Sequence, residues 1–246
     1  MLAVIGGSGL SQLSSLATPR AKPIRTPYGE PSGPITLGSI RGREVMFLAR
    51  HGHGHTFAPH EINYRANLWA LKEEGATRLV SVASVGGVRA DLGPGTLVVP
   101  HQIIDYTWGR RATYFEGGES PVVHIDFTHP YTESLRQRIL AAARMAGEPV
   151  LDGGVYAATQ GPRLETAAEV DRVERDGADM VGMTAMPEAA LARELGLEYA
   201  AIAVVVNHAA GRGESKEGIA LDRLEAMLRQ TIDRARRVIE ELVGLE

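Results

Sequence analysis

The sequence predicts an α/β fold: one domain over residues 1–246, with a central mixed, mostly parallel β-sheet flanked by helices on both faces. Three observations point there. Short apolar runs bounded by glycine or proline recur along the chain, stretches with helical periodicity lie between them, and the two kinds of segment alternate. No Pro/Ser-rich linker, charge block or low-complexity run divides the chain into halves.

Taken in order, residues 2–5 form the first buried strand, closed by Gly6-Gly7, and residues 45–49 form the second, closed by Arg50. Residues 62–74 carry the first helical pattern and lead into a strand over 79–85 that runs into Gly86. A short strand at 97–99 stops at Pro100, and a second helical pattern covers 131–145. Strands at 155–159, 180–183 and 199–206 then alternate with helices at 166–175 and 187–195, and a long helix over 221–243 closes the chain. In its first turns Leu221, Leu224 and Leu228 recur at helical spacing.

Composition narrows the function. Apolar residues make up 44% of the chain, enough for one substantial core, and the formal net charge of -4 lacks the broad positive field of a nucleic-acid binder. With no cysteine, disulfides, thiolate metal sites and a cysteine nucleophile are excluded. The start, Met1-Leu2-Ala3-Val4-Ile5, has no basic region and is too short for a secretory signal, and no run approaches the roughly 18 apolar residues of a membrane span. A cytoplasmic protein with a small-molecule ligand is the expectation, without nucleic-acid or membrane partners.

In folds of this class ligands bind beyond the carboxyl ends of strands, and the unusual residues of this chain fall there. Gly6-Gly7-Ser8-Gly9 can aim backbone N–H groups and a hydroxyl at an anion, although the same residues make an ordinary turn. Arg50-His51 sets a guanidinium beside an imidazole, a pair suited to phosphate. The cluster from His51 through His53 and His55 to His60 also admits a metal-dependent hydrolase, but the later strand ends offer Met183, Thr184 and Asn207 in place of further ligands. Thr184 precedes a helix and fits either an N-cap or an anion site. Glu165 either favours a helix dipole or accepts the N1–H of a 6-oxopurine, and Asn207 offers an amide donor and acceptor.

Together and in this order, these segments resemble the trimeric purine nucleoside phosphorylase and methylthioadenosine phosphorylase family across nearly the whole chain. The resemblance rests on Ile5-Gly6-Gly7-Ser8-Gly9-Leu10, Thr26-Pro27-Tyr28-Gly29-Glu30-Pro31-Ser32, Leu48-Ala49-Arg50-His51-Gly52, the stretch from Asn63 to Leu71, Gln160-Gly161-Pro162-Arg163, and Met183-Thr184-Ala185-Met186-Pro187-Glu188. It is nearest to the methylthio-nucleoside branch.

The resemblance implies reversible displacement of a purine by phosphate at the anomeric carbon, with no metal or organic cofactor. It assigns Ser8, Arg50, His51 and Thr184 to phosphate, with Ala83 and Ser84 closing the anion site, and puts Met183 under the ribose. Adenosine-type members carry aspartates where this chain has Asn207 and Ala209, whereas members acting on 6-oxopurines pair an asparagine matching Asn207 with a glutamate matching Glu165. Ile219 or Leu221 then stands where inosine-type members present a polar residue to the 5′-hydroxyl. Ala83 lacks a hydroxyl, and Leu164 replaces an aromatic, found in some relatives. The family pattern further implies a homotrimer in which His124 of a neighbouring subunit helps close the 5′ pocket. The substrate so implied is S-methyl-5′-thioinosine, with inosine or guanosine and methylthioadenosine as alternatives. A nucleoside-binding protein without catalysis is a further one.

Overall fold

In the computed structural model, which describes residues 1–10, 15–118 and 121–245, the chain builds its sheet outward from its most apolar strands. In chain order these residues form β1 (Leu2–Gly6), β2 (Ala17–Lys22), β3 (Ile35–Ile40), β4 (Arg43–Ala49), α1 (Tyr64–Glu73), β5 (Arg78–Gly87), β6 (Leu97–Val99) and β7 (Gln102–Asp105). There follow α2 (Glu133–Met145), β8 (Val150–Asp152), β9 (Val155–Ala158), α3 (Ala167–Arg175), β10 (Met180–Gly182), α4 (Ala185–Glu194), β11 (Glu198–His208) and α5 (Leu221–Gly244). All seven expected strands and five expected helices are present. The mixed, mostly parallel character also holds: among the described residues six strand pairings are parallel and four antiparallel.

Four strands have no counterpart in the apolar pattern. β2 is exposed along its whole length, β3 is interrupted by Gly38, and β7 and β8 are short and end in aspartate. β2 and β3 extend the sheet antiparallel beyond β4, where one side of a strand needs no apolar cover.

Period-two alternation divides the central strands between two helical layers. Along β11, Tyr199, Ala201, Ala203 and Val205 join the core beneath α1 and α4, while Ala200, Ile202 and Val204 join the core beneath α2 and α5. β1 does the same, with Ala3 and Ile5 on one side and Leu2 and Val4 on the other. A third, smaller core packs Val170 and Val173 of α3 against Ala157, Val181 and Ala209.

The branching strand is β5. It pairs with β1 over residues 78–82, with β11 along nearly its whole length, and with β10 at Gly86 and Gly87. Residues 84–87 therefore lie within the strand, which continues two residues past the expected end at 85. Residues 83–86 nonetheless line a cavity, because β1 stops at Gly6, opposite Val82, and leaves this edge of β5 uncovered from Ala83 until β10 pairs at Gly86. Among the described residues no helix is long and apolar enough to cross a membrane.

Candidate active site

Where β1 stops, a cavity of about 460 Å³ opens, lined from the ends of β1, β4, β10 and β11, the uncovered edge of β5 and the segment after β9. It collects Ser8, Arg50, His51, Ala83, Ser84, Glu165, Met183, Thr184, Asn207, Ala209 and Ile219. Residues singled out by their places in sequence thus line one cavity.

Arg50 and His51 line it side by side. Arg50 is fully buried, and its Nε and Nη2 donate to the two carboxylate oxygens of Glu188 at 2.7 and 3.0 Å. Nη2 also donates to Ser81 Oγ at 2.6 Å, and Nη1 to Val82 O at 3.0 Å. Four of the five guanidinium N–H groups are used in these bonds, which leaves one Nη1 proton on a residue that lines the cavity. Burial works against the charge, but Glu188 outweighs it and holds the group protonated well above the ordinary arginine range. The chain passes this close only because residue 7 is glycine: a Cβ there would lie 2.8 Å from Arg50 Nη1 and 2.7 Å from Val82 O.

His51 is buried beside it. Its Nδ1 lies 2.8 Å from the carbonyl oxygen of Phe57, which can only accept, so Nδ1 carries the proton and Nε2 presents a lone pair. Burial, with the nearby charge of Arg50, pushes the imidazole down to about 4, so it is neutral at pH 7. Thr184 stands at the N-cap position of α4, yet its side chain makes no capping bond and faces the cavity.

Glu165 and Asn207 line the cavity as well. α3 is capped by Thr166 and Glu169 in a reciprocal capping box, which leaves Glu165 outside the helix and turned into the cavity. Thr159 Oγ1 donates to Glu165 Oε1 at 2.6 Å, so Oε2 is the oxygen left for a ligand. Opposite, the register of β11 against β5 shifts between Val205 and Asn207, and this bulge brings both Val206 and Asn207 to the cavity surface. Asn207 Nδ2 donates to His208 O at 2.6 Å, which leaves the second amide N–H and Oδ1 for a ligand.

Ile219, Leu224 and Phe57 supply an apolar wall. Leu221 does not: it opens α5 and is 65% exposed, and Leu224, three residues on, takes the inward position. His124 is exposed and lies outside this cavity within a single chain. The histidines do not converge as the hydrolase alternative requires. His51 and His55 stack with ring centroids 4.1 Å apart, and among the described residues no group of three His, Cys, Asp or Glu side chains could hold a metal ion.

The sequence pattern of the phosphorylase superfamily matches residues 1–244. The chain belongs to that superfamily. It is 52% identical over 98% of its length to a probable S-methyl-5′-thioinosine phosphorylase of Pseudomonas syringae pv. tomato, of which 98% is covered. It is also 46% identical, over 87% of its length and 82% of the relative, to the 6-oxopurine nucleoside phosphorylase of Pyrococcus furiosus. Among solved structures, the methylthioadenosine phosphorylase of Schistosoma mansoni in complex with adenine superposes with a TM-score of 0.94 at 33% identity, covering 99% of this chain and 91% of that one.

Within this superfamily fold, three functional features escaped the sequence. Glu188, buried against Arg50 and Tyr199, stands out in the sequence only as the last residue of the motif that begins at Met183. Thr159 had shown only as the end of a strand, and Leu224 as helix core. For Glu188 a signal existed: a carboxylate one turn before Leu191, on the face α4 buries, demands a cationic partner.

Proposed function

We propose that this chain is a pentosyltransferase that catalyses the reversible phosphorolysis of S-methyl-5′-thioinosine, giving hypoxanthine and 5-methylthioribose 1-phosphate. The observation that carries this is the pairing of Glu165 with Asn207 at one end of a cavity whose side wall is apolar at Ile219 and Leu224. A 6-oxopurine offers an N1–H to Glu165 Oε2 and an acceptor at O6 or N7 to the free Asn207 amide N–H. A 6-aminopurine would turn an N1 lone pair toward the carboxylate. Each mispaired buried group costs about 1–3 kcal/mol, so two discriminate by a factor on the order of hundreds.

In this mechanism a phosphate oxygen forms a bond to the anomeric carbon as the bond from that carbon to the purine N9 breaks, and the electron pair leaves with the base. Ser8, Thr184 and the remaining Arg50 N–H hold the phosphate, with the backbone around Ala83 and Ser84 beside it. Arg50 and Glu188 form a buried pair of opposite charge, so they orient the nucleophile without quenching it. The lone pair on His51 Nε2 accepts a hydrogen bond from a protonated phosphate oxygen or from a ribose hydroxyl. Met183 lies under the ribose, and Asn207 donates to the base as negative charge develops. Ala209 leaves the base site without the second carboxylate of adenosine-type members.

Phosphate is the co-substrate, and the reaction takes no metal or organic cofactor. The working assembly in this proposal is a cytoplasmic homotrimer, with His124 of a neighbouring subunit reaching the 5′ pocket. The similarity to a 6-oxopurine nucleoside phosphorylase favours a second reading, turnover of inosine and guanosine, against which the apolar wall argues because it leaves a 5′-hydroxyl without a partner.

The test is product analysis with S-methyl-5′-thioinosine, with and without phosphate and with a chelator present. Hypoxanthine and the sugar 1-phosphate should form only with phosphate and be indifferent to the chelator. Hypoxanthine with free methylthioribose, in the absence of phosphate, would mean a hydrolase.

A further inference from the structure

Arg110 lies outside the cavity lining, on the long segment between β7 and α2, and its five N–H groups reach six neutral oxygens, with Nη1 shared among three. Nη1 reaches Met183 O at 2.8 Å, Met186 O at 2.6 Å and Tyr64 Oη at 3.3 Å. Nη2 reaches Gln160 O at 2.9 Å and Thr159 O at 3.3 Å, and Nε reaches Gln160 Oε1 at 3.3 Å.

These acceptors belong to separate walls of the site. Thr159 and Gln160 begin the segment that ends in Glu165, and Met183 and Met186 bracket Thr184. Tyr64 in turn donates to Pro59 O at 2.8 Å, and Pro59 lines the cavity beside Phe57. The guanidinium also lies 5.6 Å from the centre of the Tyr64 ring. The carbonyls need this donor for a local reason. β9 ends at Ala158, so those of Thr159 and Gln160 lie past the regular strand, and Met186 departs from helical geometry at φ -117, ψ 138, which turns its carbonyl out of the α4 ladder.

We propose that Arg110 is a positioning residue that fixes the base-binding segment at Glu165 to the phosphate- and ribose-binding segment at Met183-Thr184. Both ends of the substrate are thereby held at one spacing. A single planar fork spans the two segments, and the point charge of lysine cannot do so with the same geometry. The inference rests on the phosphorolysis proposed above and concerns how its two half-sites are kept in register.

The test uses the full chain and compares wild type, Arg110→Met and Arg110→Lys with S-methyl-5′-thioinosine and phosphate. Arg110→Met should lower kcat about 100-fold, the order expected when reacting groups shift by about 1 Å, and raise KM for phosphate and nucleoside together. Methylguanidine added at millimolar levels should restore part of the rate in Arg110→Met, and none in Glu165→Gln. Arg110→Lys should fold and still lose at least tenfold in kcat. If Arg110→Met fails to fold, the lysine variant decides alone.

A lysine variant with wild-type kcat would overturn the proposal, and so would a methionine variant that loses thermal stability but keeps kcat within threefold. Should wild type itself not turn over this nucleoside, the proposed function fails. Arg110 is then judged by calorimetry with hypoxanthine and with inorganic phosphate: joint weakening of both in Arg110→Met supports the link, and unchanged binding of either overturns it.

Discussion

Replacing Glu188 by glutamine tests the electrostatic base of the site. Both partners of the Arg50–Glu188 pair are buried, at 0% and 1% exposure, and the carboxylate also accepts from the Tyr199 hydroxyl at 2.9 Å. Glutamine keeps the volume and one acceptor oxygen, but turns an NH2 group toward the guanidinium and removes its countercharge. Breaking a buried pair from one side costs about 3–5 kcal/mol, a large part of the 5–15 kcal/mol by which domains are commonly stable. For a chain of this length about 2–4 °C of Tm accompanies each kcal/mol, so Glu188→Gln should lower Tm by about 6–20 °C.

The sign of the phosphate effect adds a second readout. With its countercharge gone, Arg50 gains more from a bound anion, so saturating phosphate should raise the Tm of the variant more than that of wild type. Circular dichroism melts with and without phosphate measure both quantities. A variant within about 3 °C of wild type, with an equal phosphate shift, would refute the account of Arg50 as a cation held by Glu188.

Three further outcomes follow. Thr159→Val removes the donor to Glu165 Oε1 and should cut kcat/KM for S-methyl-5′-thioinosine about tenfold, with KM for phosphate unchanged, as steady-state kinetics would show. Asn207→Asp should lower turnover of the same nucleoside by tenfold or more, because an acceptor replaces the donor to O6 or N7; an unchanged rate removes Asn207 from the base site. The third concerns pH: His51 titrates at about 4 in the fold, against 6.5 for a free side chain, so the unfolded chain takes up this proton first. Its contribution to stability is complete above pH 6.5 and declines as pH falls toward 4, by roughly 1.4 kcal/mol per pH unit. Denaturant titrations at pH 6.5 and 5 should show about 2 kcal/mol more loss in wild type than in His51→Asn.

The buried strands were legible because a strand covered on both faces is a continuous apolar run, as in β11, and their ends located Ser8, Arg50, Thr184 and Asn207. The edge strands β2 and β3 were not legible, since exposed or glycine-interrupted segments carry no such run. Residues that act through others were hidden for a different reason. Glu188 stands 138 residues from Arg50, and Arg110 stands 73 and 76 residues from the carbonyls it holds at Met183 and Met186, separations across which local patterns say nothing. The helix over 221–243 was legible, but not which of its leucines meets the cavity, because that depends on the surface against which the helix packs. α5 begins at Leu221 itself, which leaves that residue at the solvent-facing end.

The central claim is that Glu165, Asn207 and the apolar wall select a 6-oxopurine carrying a 5′-methylthio group. The most direct measurement is kcat/KM for S-methyl-5′-thioinosine, methylthioadenosine and inosine, taken side by side at saturating phosphate. A preference on the order of hundreds over methylthioadenosine, with inosine also disfavoured, is the predicted result. Equal or faster release of adenine would contradict the base assignment, and equal or faster turnover of inosine would contradict the role given to Ile219 and Leu224.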